Sequence, residues 1–370
     1  MQKSNDEKTW CVLFNCLNVH LIKEIGMIPW TMYKKYGFKG MVATYKNEEY
    51  TYLNQEVQGL EIHYIKRLTG NFKIDSVIWL LKNAKKCEVL QVFHISRIIM
   101  VYIALFHILN RRGKVYLKLD GSGAKGLPQG KRWERFYLKA IKYANVMSIE
   151  FKWALPDLQK KFGDKVIYIP NGYYSDGSKC NYSKKKNIIC TCARLGTYQK
   201  NTELLLCVFA KAYKSIENWK LWLIGAYDDA FYEYYKEWEM KNPEAAEKTS
   251  LIGEIADRKE LIQYYDSAKV FCLSSRWEGF SLAMIEAASR GDYLLVSDVG
   301  GAGEVIDALG HGELFASENE TEFMEKMIMV CNTLEGTNAD IYRTISEKAE
   351  EKYSWSDSCK RIYEKLYGII

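Results

Sequence analysis

Short apolar runs alternate with segments of helical periodicity along the whole chain, and this alternation is what most restricts its fold. Each run has the length of a strand, and several are rich in β-branched and aromatic residues. Such alternation is typical of parallel sheets covered by helices. We therefore predict the α/β class with two parallel sheets. The predicted strands are 10–15, 40–44, 61–64, 88–93, 114–119, 146–149 and 166–169, followed by 187–193, 219–224, 249–251, 270–273, 293–296 and 312–315.

The chain length also indicates two domains. Its 370 residues exceed what one hydrophobic core usually organises, and a hydrophobic content of 48% is enough for two ordinary cores. A break falls at Pro170-Asn171-Gly172, before the polar stretch 175–186. We predict an amino-terminal domain over 1–172, a carboxyl-terminal domain over 173–354, and a final helix over about 355–370.

The segment after the predicted strand 270–273 carries two glutamates eight positions apart, Glu278 and Glu286. The run between them is predicted to become helical at about Leu282, so that Glu286 lies about one turn into the helix. A helix that starts at the carboxyl edge of a sheet directs backbone N–H groups at a ligand, which favours a phosphate. Gly279 permits close approach of the backbone. Glu286 can accept two hydrogen bonds from vicinal hydroxyls, such as those of a ribose. The alternative is that both glutamates are solvated surface residues.

A second strand, 187–193, leads into a loop that contains Arg194, Gly196 and Lys200. The helix after this loop has one apolar face, and Asn201 is its predicted N-cap. An arginine offers a fork of donors and a lysine a mobile point charge, so this loop is typical of a diphosphate site. Without further signals, an arginine and a lysine in one loop more often point into solvent than bind a ligand. Together with the glutamate pair, they indicate an anion site.

The run Glu278-Gly-Phe-Ser-Leu-Ala-Met-Ile-Glu286 resembles the Glu-x7-Glu signature of retaining glycosyltransferases with the GT-B fold, of the family 4 type. The resemblance implies two facing Rossmann-like domains with an interdomain cleft, and a final helix that crosses back onto the first domain. It implies that Glu286 binds the nucleotide ribose, while Glu278 and the backbone after it hold the donor sugar and diphosphate.

The resemblance also assigns roles to the second loop. Arg194 and Lys200 match the arginine and lysine that neutralise the leaving diphosphate, and Asn201 stands where many members have glycine. The other donor-binding residues that it implies are Gly196, Ile255, Gly279, Phe280, Ser281 and Leu282.

For the amino-terminal domain, the candidate ligand contacts are residues that follow its predicted strands. Asp120 stands where the family often has histidine, and we predict a catalytic role for it as a hydrogen-bond partner of a donor hydroxyl. We predict an acceptor-side role for His94. The alternative is that His94 is a structural residue at the end of its strand, with its hydrogen bonds made within the protein. Lys23 and Gly26 precede a helix in a loop without the family's usual double glycine, and they are predicted to face the acceptor or the diphosphate.

Charge is divided unevenly along the chain. Residues 1–180 hold 29 lysines and arginines against 15 acids, whereas residues 181–370 hold 23 against 31. Aromatic residues are interleaved with basic clusters such as Lys131, Arg132 and Arg135. Since no nucleic-acid-binding motif accompanies them, we predict an anionic membrane surface or an anionic acceptor as the partner, and no nucleic acid. The alternative is that these basic residues form a solvent-exposed face that binds no partner.

The sequence further predicts a cytoplasmic protein, with peripheral contact to the inner face of the cell membrane as an option. Its amino terminus has no signal-peptide pattern. The most apolar segment, 98–109, is too short to cross a bilayer and predicts a buried helix. Ten cysteines without metal-ligand spacing favour free thiols in a reducing compartment.

The resemblance implies a retaining, metal-independent glycosyltransferase that needs no cofactor and uses a nucleotide-diphosphate sugar, with a UDP-sugar favoured. It implies a lipid-linked or other saccharide acceptor, in bacterial capsule, exopolysaccharide or O-antigen synthesis. The alternatives are a nucleotide-sugar epimerase, a protein glycosyltransferase, or the non-catalytic partner subunit of one. The last is disfavoured because a subunit that does not bind donor has no chemical need for the complete set Arg194, Lys200, Glu278 and Glu286.

Overall fold

A computed structural model of the chain describes residues 8–120 and 139–369. The predicted basic cluster at Lys131, Arg132 and Arg135 lies outside the described residues. The chain divides into two compact units, one made of Met1–Tyr174 with Ser354–Ile370 and the other of Ser175–Tyr353.

The first unit contains a parallel sheet. Its inner strands are buried along nearly their whole length, as expected for strands covered on both faces, whereas the edge strand 61–64 is mostly exposed. The strands are β1 (Thr9–Leu13), β2 (Lys39–Thr44), β3 (Glu61–Tyr64), β4 (Val89–Phe93), β5 (Lys114–Leu119), β6 (Val146–Ile149) and β7 (Val166–Tyr168). They pair in the order β3-β2-β1-β4-β5-β6-β7. The helices that join them are α1 (Glu24–Tyr36), α2 (Phe72–Asn83), α3 (Arg97–Leu109) and α4 (Leu155–Phe162).

The carboxyl-terminal helix (Trp355–Tyr367) packs within this first unit. Its Tyr363 ring stacks on Tyr36 of α1 with centroids 4.4 Å apart. Gly172 lies against the Trp355 indole, since a Cβ at that glycine would come within 2.6 Å of the ring. Cys359 and Ile362 are fully buried in the core of the unit. The last residues of the chain therefore stabilise the unit that contains its beginning.

Helix α3 is less completely buried than the sequence predicts. Met100, Ile103 and Phe106 are buried, but Ile108 is 70% exposed and Val101 also faces solvent. Helical periodicity distributes the apolar residues of this segment over two faces, and only one of them packs on the sheet. The prediction of a buried helix is therefore wrong for the outer face. None of the helices in the described ranges is long and apolar enough to span a membrane.

The second unit repeats the architecture. Its strands are β8 (Lys186–Cys192), β9 (Lys220–Ile224), β10 (Thr249–Gly253), β11 (Ala268–Leu273), β12 (Tyr293–Ser297) and β13 (Glu313–Phe315), in the order β10-β9-β8-β11-β12-β13. Its helices are α5 (Thr202–Ala212), α6 (Asp229–Lys241), α7 (Pro243–Ala246), α8 (Arg258–Ser267), α9 (Leu282–Ser289), α10 (Ala302–Leu309), α11 (Glu320–Leu334) and α12 (Asp340–Tyr353). The predicted class, α/β with two parallel sheets, is confirmed.

The position of β11 in the second sheet determines where the site forms. β11 pairs in parallel with β8 on one side and with β12 on the other. Because parallel strands end at the same edge, the loops that follow these three strands emerge side by side at the carboxyl edge.

Candidate functional site

Three loops of the second unit form the candidate site. They are the β8–α5 loop (193–201), the β11–α9 loop (274–281) and the β12–α10 loop (298–301). One predicted ligand-binding segment lies on the β8–α5 loop, and the other lies on the β11–α9 loop and the first turns of α9. They are far apart in sequence and meet because β8 and β11 are neighbours in the sheet.

Hydrogen bonds join the first two loops directly. The Arg276 backbone N–H donates to the Gln199 carbonyl at 2.8 Å, and the Gln199 side-chain amide donates to the Trp277 carbonyl at 3.0 Å. Arg194 donates from Nη2 to Gln199 Oε1 at 2.9 Å, so the exposed guanidinium is held by the same residue. Both bonds between the loops involve a backbone group, so they fix the spacing of the loops independently of any ligand.

Lys200 and Glu278 meet at the centre of this arrangement. Lys200 Nζ lies 2.5 Å from Glu278 Oε1, and the two side chains are only 14% and 9% exposed. The buried Ser275 hydroxyl donates to the same carboxylate oxygen at 2.6 Å. The structure therefore brings the predicted lysine and the first glutamate into direct contact, and Ser275 orients the carboxylate.

Asn201 occupies the N-cap position of α5 but does not act as the predicted side-chain cap. Its backbone is left-handed, with φ of 52°, and its side chain makes no capping hydrogen bond. Its carbonyl instead accepts a hydrogen bond from the Ser274 hydroxyl at 2.9 Å. The family's glycine and this asparagine suit the position for the same reason, because both tolerate positive φ.

Two glycines allow close backbone approach at this edge. Gly196 has φ of 72°, and a Cβ there would lie 2.4 Å from the Phe231 side chain. Gly300 has φ of 60°, and a Cβ there would lie 2.3 Å from the Gly279 carbonyl oxygen. The third loop therefore packs against the backbone next to Glu278, and a side chain at Gly300 would force the two loops apart.

Glu286 lies on α9, where its carboxylate forms an ion pair with Arg258 at the start of α8. Both side chains are 11% exposed. A carboxylate has about four acceptor positions on two oxygens. An arginine on one oxygen therefore leaves acceptor capacity for ligand hydroxyls, and it also holds the carboxylate in one orientation.

The remaining predicted donor-binding residues surround these groups. Ser281 is the N-cap residue of α9, and Leu282 begins that helix, as predicted. The Phe280 side chain is buried against Tyr353, with ring centroids 5.9 Å apart, so only its backbone is available to a ligand. Ile255 is partly buried in the loop between β10 and α8.

His94 and Asp120 follow neighbouring strands of the first unit, and their side chains meet. His94 Nδ1 lies 3.2 Å from Asp120 Oδ1, with the side chains 48% and 36% exposed. The hydrogen bond that His94 donates to the Asp120 carboxylate is the main reason that the pKa of His94 is raised above its ordinary value, and burial partly opposes it. His94 has a left-handed backbone, with φ of 61°. His94 thus has a hydrogen-bond partner and remains accessible, and its acceptor-side role stays a prediction.

Lys23 and Gly26 lie at the start of α1, at the carboxyl edge of the first sheet. Gly26 is buried, and a Cβ there would lie 2.1 Å from the Leu21 carbonyl oxygen. This close contact with the Leu21 backbone explains why residue 26 is a glycine, and no ligand is needed for that explanation. The acceptor-side role of both residues stays a prediction.

Asp120→Asn is expected to lower the pKa of His94 toward its ordinary value, because the charged hydrogen-bond acceptor is lost. The measurement is an NMR titration of the histidine ring protons, with His94→Gln used to assign the signal. A group whose pKa is raised by folding stabilises the fold at low pH, and this stabilisation is lost as the pH rises through the folded pKa. An unchanged pKa in the asparagine variant would show that the two side chains do not pair in solution.

Sequence reasoning missed Ser275, Arg258 and Gly300. Ser275 lies just beyond the predicted strand 270–273 and received no role, although a hydroxyl three residues before a glutamate can reach its carboxylate. Arg258 had no local signal, since it comes into contact with Glu286 through tertiary packing. Gly300-Gly301, separated from the predicted strand 293–296 by three residues, was a usable signal for close backbone approach.

Residues 178–349 match the family model described as glycosyl transferases group 1. This segment is of the glycosyl transferases group 1 type. It includes all three loops of the candidate site.

Two curated relatives are similar to parts of the chain. A probable sucrose-phosphate synthase of Thermosipho melanesiensis is 27% identical over 219 residues, which are 57% of this chain and 49% of that protein. The amylovoran biosynthesis glycosyltransferase AmsD of Erwinia amylovora is 32% identical over 108 residues, 29% of this chain and 28% of that protein. The chain thus spans about half or less of these relatives' own length.

Solved structures resemble the whole chain. Anabaena Alr3699/HepE in complex with UDP superposes with a TM-score of 0.71 at 14% identity, covering 98% of this chain and 100% of that one. The same Anabaena protein has also been solved in complex with UDP-glucose. At this level of identity the comparison shows the fold, which is that of the GT-B glycosyltransferases.

Proposed function

We propose that the protein is a retaining, metal-independent glycosyltransferase of the family 4 type, which transfers a sugar from a nucleotide-diphosphate sugar to an acceptor hydroxyl. The observation that carries the proposal is the contact of Lys200 with Glu278 at the ends of neighbouring strands. The match of residues 178–349 to glycosyl transferases group 1 supports it. UDP-sugars are the favoured donors, because the Anabaena protein of the same fold binds UDP and UDP-glucose.

The geometry of the second unit supports the proposed roles. Arg194 and Lys200 lie on one loop and supply positive charge to the diphosphate, together with the start of α9. Glu286 accepts hydrogen bonds from the ribose hydroxyls, with Arg258 holding its carboxylate. Glu278 and the backbone after it hold the donor sugar.

In the proposed reaction, the acceptor oxygen forms a bond to the anomeric carbon while the bond from that carbon to the diphosphate oxygen breaks. The acceptor approaches on the face from which the diphosphate departs, so configuration is retained. The acceptor proton passes to a leaving-group oxygen, and the cationic side chains stabilise the negative charge that develops there. Asp120 is proposed to position a donor hydroxyl, and His94, Lys23 and Gly26 to lie on the acceptor side.

The proposed acceptor is a lipid-linked saccharide of bacterial surface-polysaccharide synthesis. The similarity to an amylovoran biosynthesis glycosyltransferase supports this class of acceptor. Such an acceptor would place the protein at the cytoplasmic face of a membrane. The basic character of the amino-terminal half fits an anionic membrane surface there.

Glu286→Gln is expected to weaken UDP binding by about 1 to 3 kcal/mol, because a charged acceptor of the ribose hydroxyls becomes a neutral one. The variant also removes the anion beside Arg258, so some loss of stability is expected as well. Calorimetric titration with UDP measures the affinity of the folded protein, and thermal unfolding measures the stability.

Arg258→Gln is the matched control, since it breaks the same ion pair from the other side. It is expected to reduce stability while leaving most of the UDP affinity. UDP affinity that is unchanged in Glu286→Gln would overturn the ribose assignment. Product analysis with a UDP-sugar then separates a transferase, which gives a new glycoside, from an epimerase, which releases free sugar without an acceptor.

A further inference from the structure

Two helices of the first unit lie side by side and run in the same direction. The Tyr102 hydroxyl of α3 donates to the Lys73 carbonyl near the start of α2, at 2.9 Å. Asn110, at the end of α3, donates to the Ala84 carbonyl just beyond the end of α2, at 3.0 Å. The first bond joins the middle of α3 to the start of α2, and the second joins the ends of the two helices. The outer faces of the two helices therefore form one surface.

This outer surface is apolar along its middle. On α2, Ile74 and Leu81 are exposed seven residues apart, and on α3 Val101 and Ile108 repeat the same spacing. Leu81 is 56% exposed and Ile108 is 70% exposed. The side chains between them on the same stripes are also only partly buried; they are Val77, Ile78, Ala104 and Leu105. Contiguous exposed apolar side chains on neighbouring helices mark an interaction surface.

All exposed charges on these two helices and on the turns after them are positive. The basic residues are Lys73, Lys82, Lys85, Lys86, Arg97, Arg111 and Arg112. The one acidic residue within the helices, Asp75, is buried and accepts hydrogen bonds from Tyr45 and Thr69. The surface therefore combines an apolar centre with a rim of positively charged side chains.

An open cavity of about 740 Å³ lies where both helices end, at the amino edge of the first sheet. Lys85, Lys86 and Arg112 are among its lining residues, and no ion pair involves any of them in the described part of the chain. Two acids also line it and are paired, Glu61 with Lys39 at 2.9 Å and Glu88 with Lys8 at 4.0 Å. The cavity therefore has an excess of positive charge and space for a phosphate group.

We propose that the outer face of α2 and α3 docks on the surface of an anionic phospholipid bilayer. The apolar stripes enter the boundary between headgroups and acyl chains, and the cations at the helix ends contact headgroup phosphates. The purpose of this contact rests on the proposed function, since a lipid-linked acceptor requires the protein at a membrane. The docking itself requires neither donor nor acceptor.

The charge pattern favours a bilayer over a second copy of the chain. A symmetric dimer through this face would place basic rims of the same sign near each other, which is unfavourable. A bilayer with acidic lipids offers an apolar interior and a negative surface together. Both properties of the face are satisfied by that one partner.

The test is sedimentation of the full-length protein with vesicles of phosphatidylcholine and phosphatidylglycerol, compared with phosphatidylcholine alone. We expect binding to the acidic vesicles that weakens as salt rises, because the charged part of the contact is screened. Leu81→Glu with Ile108→Glu is expected to weaken binding by at least about tenfold. Lys85→Glu with Lys86→Glu is expected to weaken it by at least about thirtyfold, since each basic residue contributes near the surface.

Matched controls change the same chemistry elsewhere. Met240→Glu alters an apolar side chain that is 75% exposed in the second unit, and Lys160→Glu with Lys161→Glu reverses an adjacent lysine pair on α4. Both controls are expected to bind vesicles nearly as wild type does. Absence of vesicle binding, equal losses in test and control variants, or a self-association that Leu81→Glu with Ile108→Glu abolishes would each overturn the proposal. Because no donor is present, these outcomes leave the proposed transferase activity untouched.

Discussion

Lys200→Ala is expected to lower turnover by about two to three orders of magnitude. The lysine is held 2.5 Å from Glu278 on a loop that hydrogen bonds fix to its neighbour, so it is preorganised. A fixed cation stabilises a departing diphosphate more than the bound donor, because negative charge accumulates on the leaving group as its bond breaks. The loss should therefore appear in kcat as well as in kcat/KM.

Lys211→Ala is the control for this experiment. Lys211 lies on α5, which begins just after Lys200, and it forms an ion pair with Glu320 in which both partners are exposed. Exposed pairs contribute little, so this variant should retain wild-type turnover. Initial rates of transfer with a UDP-sugar measure the difference, and thermal unfolding verifies that both variants fold. Wild-type turnover in Lys200→Ala would remove the lysine from the proposed mechanism.

The parts of the fold that sequence predicted are those with local signals. Strands such as 61–64 and 114–119 are short apolar or alternating segments bounded by polar residues, and the structure has strands at both positions. The two loops of the candidate site were also recognisable, because each combines a strand end, a glycine and charged residues within a few positions. Their contact was not predicted, because it depends on β8 and β11 being neighbours in the sheet.

The parts that sequence missed depend on contacts between distant segments. Arg258 contacts Glu286 because α8 and α9 pack against the same sheet. The sequence around either residue gives no indication of this contact. The outer face of α3 was misjudged because its apolar residues surround the helix, and composition does not reveal which side meets the sheet. Asn201 was correctly placed at a helix start, but its left-handed backbone prevents the side chain from capping.

Lys185 and Asp292 form the most completely buried ion pair of the second unit's described residues. Lys185 Nζ lies 2.5 Å from Asp292 Oδ1, and both side chains are 0% exposed. The ammonium also donates to the carbonyls of Ala268 and Tyr265, at 2.6 and 2.9 Å. Burial raises the pKa of Asp292 to about 7, although the neighbouring lysine opposes the shift. The Lys185 ammonium therefore offsets the cost of burying the charged Asp292 carboxylate away from water.

Lys185→Met is expected to lower the free energy of unfolding by about 3 to 5 kcal/mol near pH 8, because it leaves a buried charge without its partner. The loss should be smaller at pH 5. With its pKa raised by folding, Asp292 keeps its proton in the folded state at that pH, while the unfolded chain releases it. Stability therefore decreases as the pH rises toward the folded pKa. Urea unfolding at both pH values, followed by tryptophan fluorescence, measures the effect.

Two further variants distinguish the buried pair from ordinary surface charge. Lys241→Met breaks an exposed pair with Glu237 on α6 and is expected to change stability by less than about 1 kcal/mol. Lys185→Met combined with Asp292→Leu removes both charges and is expected to recover most of the loss, since apolar replacement of a buried pair is often neutral. Lys185 and Asp292 precede β8 and β12, so they lie at the edge of the sheet opposite the candidate site. UDP affinity under native conditions should therefore stay at the wild-type value in the double variant, and a large loss of affinity would show that the pair acts on the site across the sheet.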